Sequence, residues 1–174
     1  MKQQVRRVKL VLLALVMFAL VGWRPAVDPE TQMLAMEAYS VMMDSFMTMM
    51  DGSLELVFPD CYAGAYIDRD RLVIQLTDIS DETTAFYWRL LGRDAPIVFK
   101  QVEFSWNELT AIGETFLDAL DGMGVSVVGF GVDTTRNRFS VTAEWRNGSI
   151  RALIAGFRAR AAGLPIRVEV GRMR

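Results

Sequence analysis

Histidine is absent from the 174 residues, and cysteine occurs once, at Cys61. Without an imidazole there is no Ser-His-Asp or Cys-His catalytic arrangement and no His-containing metal site. A single thiol cannot close an internal disulfide, so the fold has to rest on its core rather than on a covalent frame. A basic stripe is lacking as well. Lys2, Arg6, Arg7 and Lys9 precede every acidic residue, and from Arg24 onward 15 basic residues face 21 acidic ones, a net charge of -6. A nucleic-acid surface needs the opposite balance, so nucleic acid is set aside as a partner. What is plentiful is apolar side chain, 52% of the residues, enough for one domain or two small lobes to bury a core.

The basic cluster is followed by Leu10 to Trp23, fourteen residues without a charge. That is the length of a secretory apolar region and short of the ~20 residues that span a bilayer as a helix. Ala19-Leu20-Val21 and Pro25-Ala26 only approximate a small-x-small cleavage site, and no cysteine follows for lipid attachment. Residues 1–28 are therefore read as a signal peptide or as an uncleaved apolar anchor helix that meets the membrane through residues 1–23. The positive-inside bias puts the N-terminus in the cytoplasm and everything after Arg24 outside it.

Asp28-Pro29-Glu30 predicts a helix start, with a capping Asp, Pro at the first helical position and an acid in the first turn. The methionine-rich stretch that follows predicts a long helix over 29–52. Glu37, Asp44 and Asp51 recur every seven residues and, with Ser40 and Thr48, make one narrow polar strip. The remaining apolar surface, Met36, Met43, Met47 and Met50 included, exceeds what one sheet covers. It is either a core helix held between lobes or against a membrane, or an adaptable face for a protein partner, since thioethers repack readily.

From Tyr62 the pattern changes to period two, and one order of elements occurs twice. Gly64-Ala65-Tyr66-Ile67-Asp68, a turn at Arg69-Asp70 and Arg71 to Thr77 form the first hairpin. Gly129-Phe130-Gly131-Val132-Asp133, a turn from Thr134 to Asn137 and Arg138 to Glu144 form the second. Each leads to a helix and a third strand, from Thr77 to Ile97 and from Glu144 to Ile166. In the first copy Ser80-Asp81-Glu82 opens a helix that carries Phe86, Leu90 and Leu91 and ends near Gly92, before a strand from Ile97 to Phe104. In the second copy Ile150, Leu153, Ile154 and Phe157 fall at i, i+3, i+4 and i+7, one amphipathic face. Between the copies Ser105-Trp106-Asn107-Glu108 is a capping box that opens a linking helix with Leu109, Ile112, Phe116 and Leu120 inward.

The expected architecture is therefore α+β: a first ββαβ lobe over 53–105, a linking helix over 106–122 and a second ββαβ lobe over 123–174, each lobe a small, mainly antiparallel sheet with its helix on one face. In the second sheet Phe139, Val141, Ala143, Ile166, Val168 and Val170 point one way. Ser140, Thr142, Glu144, Arg167 and Glu169 point the other, toward solvent or a partner. The candidate partner-binding residues are these five together with Met36, Met43, Met47 and Met50.

Ala63 to Asp68, Leu72 to Asp78, Val102-Glu103-Phe104-Ser105 with Glu108-Leu109, and Gly131-Val132-Asp133 with Asn137-Arg138 resemble the pro-regions of alpha-lytic-protease and streptogrisin-type secreted serine proteases. The resemblance runs from Ala63 to Ala143. It implies an exported α+β segment that assists folding of a protease and then inhibits it, partly by packing a sheet against the enzyme. The chain departs from that pattern in carrying no protease domain, which a histidine-free sequence cannot hide, so the resemblance leaves either action on a serine protease in trans or a scaffold that has lost the role.

Other chemistry is weaker. Asp68, Asp70, Asp78, Asp81 and Glu82 lie close in sequence, as a carboxylate-dependent hydrolase or a calcium site would need, but each stands where turn or cap chemistry wants it. Cys61 has no adjacent base and reads as a structural thiol. Asn147-Gly148-Ser149 fits the glycosylation triplet, and the glycines at 122, 124, 129 and 131 precede a strand rather than open a phosphate-binding helix. The expected function is a non-catalytic, exported or anchored protein-binding module without metal or cofactor. The alternatives are a structural cell-envelope component or a small hydrolase.

Overall fold

Asp28 caps the first helix, its carboxylate accepting from the backbone N–H of Glu30 and of Thr31 at 3.3 Å each. Pro29 takes the first helical position, where a missing N–H costs nothing. The computed structural model describes residues 27–50, 53–121, 126–145, 156 and 163–172. The apolar run, the Asn147 triplet and, apart from Gly156, the expected helix at 150–160 lie outside them. Among the described residues no helix is long and apolar enough to cross a membrane.

The described elements are three helices, a two-stranded hairpin and two three-stranded sheets. Helix α1 is Pro29–Ser45, shorter than the helix expected over 29–52. Phe46 ends it. Its N–H reaches back to the Met43 carbonyl at 3.1 Å, while its carbonyl accepts from Val57 N–H at 2.8 Å. Its ring is buried in an aromatic cluster, 5.1 Å from Tyr62 and 5.8 Å from Phe58. That anchorage outweighs the helical preference of the following methionines, and the chain continues as strands β1 (Met47–Met50) and β2 (Ser53–Leu56), paired antiparallel with Met47 opposite Leu56.

The first lobe follows as β3 (Tyr62–Asp68), β4 (Arg71–Leu76), α2 (Asp81–Leu91) and β5 (Ile97–Gln101). Helix α3 (Trp106–Asp121) links it to β6 (Ser126–Asp133), β7 (Arg138–Trp145) and β8 (Ile166–Arg172) of the second lobe. Both sheets are mixed rather than mainly antiparallel. The hairpin pair is antiparallel and the third strand, arriving by a crossover, is parallel to the middle one.

The duplication extends to the register. Leu72 stands opposite Ile97 in the first sheet and Phe139 opposite Ile166 in the second. Each hairpin carries one irregularity at the same place, between Tyr62 and Gly64 and between Val127 and Gly129. Pro96 and Pro165 accept from the N–H of Leu72 and Phe139, at 2.8 Å in both lobes. A Gly with positive φ precedes each of these prolines, Gly92 at 85° and Gly163 at 81°.

The middle strand of the first sheet is buried from Leu72 to Leu76. One side meets Ala35, Ala38 and Met42 of α1, Phe46 just beyond it and Tyr87 of α2 in a single core. Tyr87, and not the exposed Phe86, is the fully buried aromatic of α2. In the second lobe Phe116 and Leu120 of α3 close on Phe139, Val141, Ala143 and Ile166. The approach is close: a Cβ on Gly113 would overlap the Phe139 ring.

Candidate partner-binding surfaces

Alternation along β7 and β8 builds the first surface. Because α3 covers the face carrying Phe139 and Val141, the intervening residues point away from it. The cross-strand rows on that outer face are Gly131, Ser140, Arg167 and Gly129, Thr142, Glu169, with Ser126, Glu144, Gly171 next in register. Ser140, Thr142 and Arg167 are half-buried and Glu169 is exposed. Arg167 and Glu169 form an ion pair at 2.9 Å along the strand edge. Of the sequence-predicted set, Ser140, Thr142, Arg167 and Glu169 thus share one sheet face, and Glu144 follows Thr142 in register. Two glycines on β6 leave that side of the face without side chains, so another backbone can come close.

The methionines do not form one surface. Met36 is 58% exposed on α1, whereas Met43, seven residues on, is half-buried and packs against the first core. Met47 is exposed on β1, and Met50 stands on the same strand opposite Ser53. With the helix ending at Ser45, the helical spacing that would have aligned Met36, Met43, Met47 and Met50 stops after the second of them. The exposed apolar positions of α1 are Met33, Leu34, Met36 and Val41, because Ala35, Ala38 and Met42 take the buried stripe.

The carboxylates go to turns and caps. Asp78 accepts from Ser80 N–H at 3.0 Å, Ser80 Oγ at 2.7 Å and Thr83 Oγ1 at 2.8 Å. Those bonds hold its carboxyl below the usual range. Asp81 and Glu82 are exposed in the first turn of α2, where the helix dipole favours them. Asp68 and Asp70 lie at the opposite end of β4, six strand residues away and so roughly 20 Å distant at the rise of a strand. The five carboxylates therefore do not converge on one site: Asp68 and Asp70 stand at one end of β4, and Asp78, Asp81 and Glu82 at the cap and first turn of α2. Among the described residues no group of three or more His, Cys, Asp or Glu could hold a metal ion. Burial, helped by Asp78 and Asp60, pushes the half-buried Cys61 thiol up, away from thiolate chemistry.

Two features escaped the sequence reading. Phe130 is 66% exposed on β6 although its ring stacks on Phe139 at 6.2 Å, and Val128 beside it is exposed too. The flanking glycines in Gly129-Phe130-Gly131 were the available signal, since an aromatic between glycines has little around it to pack on. The other is Asn137, at φ 50°, whose side chain accepts from Phe104 N–H at 3.0 Å and donates to the Phe104 carbonyl at 2.7 Å, tying the second hairpin turn to the first lobe.

Residues 25–102 match a family model described as a Pro-like N-terminal domain, a span that takes in α1, the β1–β2 hairpin and the whole first sheet. No curated protein matches the chain. The match is consistent with a propeptide-like module and extends over part of the region that carries the pro-region resemblance, Ala63 to Val102.

Proposed function

We propose that the chain is an exported or membrane-anchored, non-catalytic protein-binding module of the protease pro-region kind, chaperone-like or inhibitory, with a serine protease of the streptogrisin type as its partner in trans. The observation that carries the reading is the outer face of the second sheet. It offers Ser140, Thr142, Arg167 and Glu169 on one side and a glycine-lined strand on the other, while α3 packs on the opposite face. The Pro-like match over residues 25–102 supports it independently.

Such a face binds through shape and main-chain approach, with a polar rim for register, and needs no reacting group of its own. The direct test adds the purified protein to extracytoplasmic serine proteases and measures both residual activity and the yield of enzyme refolded from denaturant. Inhibition or improved refolding is expected. A protein that neither binds, inhibits nor assists any of them would sink the proposal. The cell-envelope alternative is motivated by the Leu10 to Trp23 run. N-terminal sequencing of the membrane and soluble fractions separates it from a secreted binder.

A further inference from the structure

We infer that the second lobe's hairpin turn, Thr134 to Asn137, is a releasable latch on the first lobe, kept weak by the buried amide of Gln75. Gln75 lies in the middle of β4, between Gly64 and Lys100 in register, on the face of the first sheet turned away from α1. It is 0% exposed, and neither its Nε2 nor its Oε1 has a hydrogen-bond partner among the described residues. Thr134 of the turn lies beside this place. Its methyl occupies the space a Cβ on Gly64 would need, with the Gln75 Oε1 at 3.8 Å from that same position.

Three properties make the contact a latch rather than ordinary packing. The turn holds its own shape: Asp133 accepts from Thr135 Oγ1 at 2.7 Å and from Arg136 N–H at 3.3 Å, and pairs with the Arg136 guanidinium at 2.7 Å. It can therefore lift without unfolding. Its polar ties to the first lobe are the two Asn137 bonds to Phe104. Docking strips water from both polar atoms of Gln75 without returning a bond, and lifting restores it. Seated and lifted states are thereby brought close in free energy, which is what a segment that opens locally requires. The latch does not depend on the identity of any partner.

Amide hydrogen exchange on the full chain tests this. The Phe104 N–H, bonded to Asn137, is expected to exchange about a hundredfold or more faster than the Ile74 N–H in the middle strand, because it is freed by lifting alone. Gln75→Met, which fills the site without polar atoms, should slow Phe104 exchange about tenfold. Gln75→Leu is the second variant and should act in the same direction. Equal rates at Phe104 and Ile74 in the wild type would overturn the latch, and so would a Phe104 rate that Gln75→Met or Gln75→Leu leaves unchanged or raises. Should neither variant fold, the wild-type ratio still decides.

Discussion

The two lobes share a strand register, a hairpin irregularity and a proline-led third strand, yet they differ in what their outer faces carry. The first sheet packs on α1 and α2 on one side, and on the other Gly64, Val73 and Gln75 are buried, with Thr134 beside Gly64, while Val98 and Lys100 at the β5 edge are exposed. The second is covered by α3 on its apolar face, while its outer face carries half-buried and exposed polar side chains. Turn length contributes to the asymmetry. Arg69-Asp70 is a two-residue connection, whereas Thr134 to Asn137 spans four and reaches the neighbouring lobe. One backbone plan thus yields a scaffold lobe with two helices on its apolar face and a second lobe whose outer face carries polar side chains and glycines, according to what each middle strand is asked to bury.

The largest effect that would break this contrast is in the scaffold. Ile74→Ala, at a fully buried site, should cost about 2–5 kcal/mol in chemical denaturation through lost burial and a residual cavity. A loss under 1 kcal/mol would mean that the first core is not the stability centre. Next comes Gly113→Ala, which forces a methyl into the Phe139 ring and should cost about 1–3 kcal/mol by overpacking. A neutral result would show that α3 is free to shift on the second sheet.

Smaller effects test the caps. Ser105→Ala removes the hydroxyl that accepts from Glu108 N–H at 3.2 Å and should cost about 1 kcal/mol, read as a lower denaturation midpoint at unchanged slope. On the second lobe, Thr142→Arg should leave stability within about 0.5 kcal/mol while weakening the proposed protease binding about tenfold or more, since it changes the outer face and no core residue. Binding that survives the substitution would move the interface off this face.

The smallest effect is electrostatic and present in both lobes. Ser80 and Thr83 depress the Asp78 carboxyl, and Arg136 and Thr135 depress that of Asp133. A carboxyl lowered in the folded state contributes stability that is fully present above its unfolded pKa and is lost as pH falls through the folded one. Stability should therefore decline as pH drops below about 4. The Asp78→Asn and Asp133→Asn variants should each show a shallower decline, by comparison of urea midpoints at acidic and neutral pH.

Much of this architecture was legible in the chain. Both hairpins, the Ser80 cap, the Ser105–Glu108 box and the inward stripe Leu109, Phe116, Leu120 are local patterns, and each is where period and cap chemistry put it. The polar face of the second sheet was legible for the same reason, because alternation fixes sidedness once the strand is known. The end of α1 at Ser45 was not, since Phe46 stops the helix through ring contacts with Phe58 and Tyr62, 12 and 16 residues downstream. Nor was the choice of Tyr87 over Phe86 as the buried ring, which depends on where Leu72 and Ile74 present their side chains.

By itself, then, the sequence determined the two hairpins with their third strands, the linking helix, the absence of imidazole chemistry and the two-sided second sheet. These follow from spacings of a few residues and from backbone stereochemistry. Only the tertiary structure decided that Gln75 in the middle of the first sheet would be buried while its counterpart in the second, Thr142, stays half-buried. That outcome rests on contacts between distant segments, Thr134 against Gly64 and Gln75 and Asn137 against Phe104, whose energies no local pattern encodes.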